Sequence, residues 1–285
     1  MNKYFNKLAL SLFLLLAFSF LKAQTHRFIY ELKYMSDSLQ SGYETIEMVL
    51  DINPKEVKFY DYGFLEKDSL NILHNTSNNQ YFSRISQTIK RSANSFKNKN
   101  YRQILLSPFN YYVYETEDPI KWNIQSETNK LGSFTIQKAT AEFGGRRWTA
   151  WFTSDIPFSE GPFKFRGLPG LIVLLEDTNK HFVYTFSRNY NLDKSYKTDR
   201  FLENRYNLIA TPITEKQWEK LNQDYYSDPY STLRNSYQPG WEIEIQGKKI
   251  KSKEDFKQLT ESTQQEILKM NNPLELDKAI HYPTK

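Results

Sequence analysis

Four cations stand beside glycines in the middle of the chain. Arg146 and Arg147 follow Gly144-Gly145 directly, and Lys164 and Arg166 fall inside the window Pro157–Gly170. A guanidinium grips carboxylates or phosphates with paired N–H donors, and an ammonium adds a point charge. Carried to one end of a sheet, these four residues could hold an anionic headgroup or a carboxylate. The plain alternative is a pair of solvated turn residues with Arg147 facing Glu142. A second spacing, Asp177-x-x-x-His181, suggests a metal ligand pair or an acid–base pair. The four histidines are residues 26, 74, 181 and 281, and none has a second histidine at metal-ligand spacing. No serine sits in a Gly-x-Ser-x-Gly elbow, and no phosphate-binding or dinucleotide glycine pattern occurs. Cysteine is absent, which excludes thiolate zinc sites, iron–sulfur clusters and a cysteine nucleophile. The residues therefore nominate ligand contacts at Arg146, Arg147, Lys164 and Arg166. They nominate no catalytic residue, no metal site and no cofactor.

These side chains need strands to place them. Phe28, Tyr30, Leu32 and Tyr34 alternate along one strand, and Ile46, Met48, Leu50 and Ile52 along the next. Further strands are expected at 57–62, 80–91, 111–115 and 120–124, with the polar stretch 92–100 as a loop. Gly144-Gly145 is a two-residue hairpin turn, which sets Phe143 against Arg146, Glu142 against Arg147 and Ala141 against Trp148. A second hairpin is expected at Thr178-Asn179, with Asp177 against Lys180 and Glu176 against His181. Polar outer faces on half-buried strands indicate an antiparallel sheet. The C-terminal part changes period. Thr214–Gln217 reads as a capping box before Trp218, Leu221 and Tyr225. Residues 241–245 read as a short strand, and 252–255 open a second helix that carries Phe256, Leu259, Ile267 and Leu268. The lysines at 248, 249, 251 and 253 read as a solvated approach to that helix.

The window Pro157–Gly170 holds three of the 11 prolines and three of the 10 glycines, so it specifies an unusual backbone path. Leu168, Leu171 and Ile172 are expected to plug the core where the next strand begins. Gly145, Arg146, Trp148, Trp151, Pro157, Gly161, Pro162, Phe165 and the hexapeptide Gly167, Leu168, Pro169, Gly170, Leu171, Ile172 together resemble the GLPGLI family of secreted envelope proteins. Phe28-x-Tyr30, Met48–Asp51 and Asn272-Pro273-Leu274-Glu275 extend the resemblance over most of the chain. It implies a cell-envelope protein of a Gram-negative bacterium, encoded beside outer-membrane receptors of the TonB-dependent type. It implies no catalytic residues, because the family has no established activity.

Residues 1–23 read as a signal peptide: a basic start, the apolar run 8–21, then Ala23. That run is too short to span a membrane comfortably. Residues 24–285 read as one domain, β-rich over 24–210 and helix-containing over 211–285. Lys3, Lys7 and Lys22 account for three units of the formal net charge of +5, so the rest of the chain has too thin an excess for a nucleic-acid binder. Twenty Phe, 20 Tyr and 5 Trp supply the burial that disulfides do not. The expected molecule is mainly β (α+β): a strongly curved antiparallel sheet or unclosed barrel with C-terminal helices, monomeric to dimeric. The expected function is non-enzymatic, binding a hydrophobic or peptide-like ligand or an outer-membrane receptor. A hydrolase acting on an envelope component and a structural partner with no small ligand are the alternatives.

Overall fold

The structure, a computed structural model, describes residues 25–283 apart from 40–41, 78–80, 105–106, 108–109, 206–207 and 246. The expected signal peptide lies outside the described residues. In chain order the elements are β1 (Thr25–Tyr34), β2 (Glu44–Ile52), β3 (Glu56–Asp61), α1 (Tyr62–His74), β4 (Thr88–Ser92), β5 (Lys97–Arg102) and β6 (Tyr112–Glu117). Then follow β7 (Asn123–Leu131), β8 (Phe134–Phe143), β9 (Arg146–Thr153), β10 (Leu171–Asp177) and β11 (Phe182–Leu192). The C-terminal part holds β12 (Asn204–Arg205), β13 (Leu208–Ile209), β14 (Thr211–Pro212), α2 (Glu215–Ser227), α3 (Ser231–Ser236), β15 (Ile243–Ile245), β16 (Lys248–Ile250) and α4 (Asp255–Lys269).

Among the described residues, 12 strands form one sheet in the order β14-β6-β5-β4-β3-β2-β1-β11-β10-β9-β8-β7. It is mainly β, unclosed, and antiparallel except where the short β14 joins β6 in parallel. The period-two residues of β1 and β2 face one core with Phe59, Trp148, Phe152 and Tyr184. The alternate residues Ile29 and Val49 face the opposite side, where Phe64 and Leu65 of α1 cover them.

The sheet curls around the segment between β9 and β10. Trp122, just before β7, donates its Nε1 hydrogen to the Arg166 carbonyl at 2.8 Å. The Arg166 guanidinium reaches the Ser95 carbonyl in the β4–β5 turn. β4 and β7 stand eight strand positions apart in the sheet order, roughly 38 Å if the sheet were flat. One residue, Arg166, bonds next to both strands, through its carbonyl on one side and its side chain on the other, so the sheet wraps. Phe163 and Phe165 plug the interior, Phe165 against the Trp148 ring at 4.6 Å between centroids and Phe163 against Phe59 at 6.5 Å. Leu168, Leu171 and Ile172 are fully buried, as the sequence leads one to expect.

Several local expectations need correction. The second hairpin has a wider loop: Glu176 faces Val183, not His181. Lys180 turns the chain at φ 57°, and Asp177 Oδ1 accepts the Phe182 N–H at 2.8 Å. The strand expected at 80–91 is confined to β4. The Ser83 hydroxyl takes the Ile85 N–H and donates to Asp61, which competes with strand pairing. The polar stretch 92–100 contains most of β5, because Asn98 and Asn100 bury their amides against Asp118, Tyr114 and Thr116. The strand expected at 120–124 begins only at Asn123, since Trp122 is committed to Arg166. Lys248 and Lys249 lie on β16, paired with β15, rather than on a helix approach. The Gly-Gly hairpin has the expected register, and Thr214 and Gln217 form the expected capping box.

Candidate functional site

The four nominated cations separate into different roles. Arg146, at the start of β9, is buried. Its Nε donates to the Leu274 carbonyl at 2.9 Å, and its Nη1 lies 3.1 Å from Asp177 Oδ2 and 3.3 Å from His181 Nδ1. Its Nη2 donates to Asn272 Oδ1 at 2.6 Å and to the Pro273 carbonyl at 2.7 Å. Five partners match the five N–H bonds of a guanidinium. Arg146 also stands between Asp177 and His181, the pair whose spacing suggested metal or acid–base work. Among the described residues, no group of three or more histidine or acidic side chains is placed to hold a metal ion.

Lys164 is buried as well. Its ammonium meets Glu275 at 2.9 Å and Asp118 at 3.1 Å. Burial alone would raise the Asp118 carboxyl, but the ammonium groups of Lys164 and Lys278 and the Thr116 hydroxyl outweigh it and hold the group below the usual range. Arg166 faces Ser95, Glu160 and the Phe96 ring. Arg147 projects into solvent 3.6 Å from Glu142, an exposed cross-strand pair of small energetic weight. The four cations do not share one site.

Arg146 and Lys164 instead fasten the chain segment 271–282, a strap that leaves α4 and crosses the β8–β9 turn. Leu276 N–H donates to the Gly144 carbonyl at 2.7 Å. A Cβ on Gly144 or Gly145 would approach Glu275, Leu276 and Asp277 to 3.0–3.2 Å, so the glycines let the strap lie close. The Asn272 side chain donates in turn to the Met35 carbonyl beyond β1.

Beneath the strap lies a cavity of about 470 Å³. Its walls come from the end of β1 (Tyr34), the lead-in to β4 (Arg84–Gln87), the end of β5 (Arg102), β6 (Tyr114), the plug (Phe163), the start of β11 (Phe182) and α2 (Trp218, Asn222). The strap and the end of α4 form the remaining wall. Phe163 reaches the cavity from a left-handed backbone, φ 53°, which an aromatic residue adopts only under constraint. Trp218 packs against the Tyr114 ring at 6.3 Å, and the capping box of α2 fixes where that helix begins. Gln87 is buried at the cavity wall. Its Oε1 accepts the Tyr184 hydroxyl, while its Nε2 has no partner among the described residues. Glu275 is the one carboxylate among the described lining residues, and Lys164 and Lys278 hold it.

None of Gln87, Arg102, Trp218 and Asn222 was nominated from the sequence. A single available signal was the resemblance at Asn272–Glu275, whose Asn272 and Glu275 bind two of the nominated cations.

A family model described as "Protein of unknown function (Porph_ging)" matches residues 143–174. That stretch contains the Gly-Gly hairpin, β9, the plug and the hexapeptide. No curated protein matches the chain. Two solved structures of PNGF-II, in space groups C2 and P21, resemble it at 12% identity and a TM-score of 0.49. Each comparison covers 70% of this chain and 33% of the other, so the chain spans about a third of the length of the structures it matches. Among the described residues, no helix is long and apolar enough to cross a membrane.

Proposed function

We propose that this is an exported, non-enzymatic binding protein of the cell envelope, of GLPGLI type. Its ligand is a small peptide-like molecule, held in the strap-roofed cavity and passed to or from an outer-membrane receptor. The observation that carries the reading is Gln87: a buried amide whose Nε2 has no partner among the described residues, on the wall of a cavity lined by Tyr34, Tyr114, Phe163, Phe182 and Trp218. Aromatic walls with a few placed polar groups are what small-ligand sites present. A ligand carbonyl would pair the Gln87 donor, and apolar ligand groups would cover the rings. Two observations shape the proposal. The middle of the sheet interior is filled by the plug, so the ligand belongs at its mouth. The nominated cations mostly bind their own chain, so an anionic headgroup is not the primary feature recognised.

A hydrolase draws no support from this site, where Glu275 is already paired with two lysines. A structural partner with no small ligand is favoured by the filled interior alone.

Native mass spectrometry of the protein purified from its own envelope tests the proposal. A co-purified peptide-sized mass is expected, and Gln87→Met should weaken its rebinding about fivefold to tenfold. Trp218→Ala, on a separate element, should weaken it independently. Ligand-free protein that also fails to bind a dipeptide and tripeptide library would overturn the reading, and so would turnover of any library member.

A further inference from the structure

Arg91 on β4 and Arg166 in the plug share one carboxylate, that of Glu160. Arg91 Nη2 donates to Glu160 Oε2, and Arg166 Nη2 lies 3.6 Å from Oε1. The rest of the Arg91 head, Nε and Nη1, has no hydrogen-bond partner among the described residues, and neither does Nε of Arg166. The Arg91 side chain is 2% exposed and that of Glu160 9%, so bulk water does not serve these donors. The cluster holds two positive charges and one negative. Burial lowers the affinity of Arg91 for its proton despite Glu160, and the same burial pushes the Glu160 carboxyl up. Both directions mark charges that are not fully compensated. Charged donors left unmade in a buried place are costly, and natural structures seldom keep them.

We propose that Arg91 and Arg166 form a buried site for one small monovalent anion of halide size. The unpaired groups are all donors, which selects an anion. The net charge is +1, so a single negative charge neutralises the cluster, whereas a doubly charged phosphate would reverse its sign in a place where water cannot screen it. The site lies between the sheet and the plug, so its occupant ties β4 to the segment that fills the interior.

Bromide is the probe. Crystals of the purified protein grown in sodium bromide, measured at the bromine edge, should show an anomalous peak within hydrogen-bond reach of Arg91 Nε or Nη1. In solution, at ionic strength held constant with gluconate, the melting temperature should climb with bromide and then saturate. Arg91→Met should lose the saturating response. Glu160→Gln, which removes the competing carboxylate, should shift it to several-fold lower bromide. An anomalous map with bromide elsewhere and none at Arg91 would overturn the proposal, as would a wild-type melting temperature that does not saturate. Should Arg91→Met fail to fold, these two wild-type measurements decide alone. Water at the donors gives the overturning result in both.

Discussion

Arg146 and Asn272, 126 residues apart in sequence, are joined at 2.6 Å between the guanidinium and the side-chain amide oxygen. The bond links the first residue of β9 to the strap that roofs the cavity. Asn272 passes the connection on to Met35 through its own amide. The strap is thus held by the side chains of Arg146, Lys164 and Asn272 and by backbone bonds to Gly144 and Ser36, rather than by strand pairing.

Arg146→Lys should release the strap before it unfolds the sheet. An ammonium has three donors and no fork, so it cannot satisfy the five acceptors that surround position 146. Arg146→Ala leaves the Asp177 carboxylate buried without its cation, at a cost of ~3–5 kcal/mol. Hydrogen exchange should show loss of protection around residues 272–279 in Arg146→Lys, with β1 and β2 little changed. Uniform loss across the sheet would show that the strap is not a separate unit.

Gly167→Ala and Gly170→Ala should separate by severity, although both glycines sit at positive φ, +98° and +153°. A Cβ on Gly167 meets nothing within 4 Å, so its cost is the backbone term, about 1–2 kcal/mol. A Cβ on Gly170 would stand 2.1 Å from the Thr153 carbonyl oxygen, which belongs to β9 and cannot give way without distorting the sheet. The cost there is on the order of 3 kcal/mol. Thermal melts should rank wild type above Gly167→Ala, and Gly167→Ala above Gly170→Ala. Equal melting temperatures for the two variants would contradict the clash.

The contrast shows where sequence reasoning reaches and where it stops. Gly144-Gly145 announces its hairpin because two glycines between alternating strands leave few other conformations. Thr178-Asn179 misleads because the residue that turns left-handed is Lys180, which carries no such mark, and because the Asp177 side chain caps the loop. Helix α1 escapes notice because Asp61 ends β3 and caps the helix at once, its carboxylate taking the Gly63 N–H at 2.9 Å. Strand and helix meet there with no loop between them. The cavity was not legible at all. Its walls come from eight separate stretches of chain, brought together only when the sheet curls, and spacing along a sequence does not encode that curl.

Lys180→Gly should stabilise the protein. Lys180 holds φ 57°, which costs a non-glycine residue roughly 1 kcal/mol, and its ammonium makes only a long, exposed contact with Glu176 at 3.8 Å. Glycine relieves the strain and gives back part of the gain as unfolded-chain entropy, leaving a few tenths to about 1 kcal/mol. Urea unfolding should move to a higher midpoint with an unchanged slope. A lower midpoint would mean that the Glu176 contact outweighs the backbone strain.

Asp118→Asn tests the charge cluster beneath the strap through its pH dependence. Asp118 sits between Lys164 and Lys278, at 3.1 and 3.4 Å, and its carboxyl is held below the ordinary value of about 3.9. A carboxyl depressed in the folded state contributes stability that is present above its unfolded pKa and is lost as pH falls through its folded value. Wild type should therefore exceed Asp118→Asn by on the order of 3 kcal/mol near pH 7, since the variant leaves Lys164 buried with one carboxylate fewer. The gap should narrow below about pH 4, where the wild-type carboxyl takes up its proton and comes to resemble the amide. Glu160 works in the opposite sense. Burial raises its carboxyl, so acidification through the window between its unfolded and folded values favours the folded state. That contribution is common to both proteins and cancels in the difference. Melts of the pair near pH 7 and near pH 3 are sufficient: a gap of the same size at both would show that Asp118 acts through shape rather than charge.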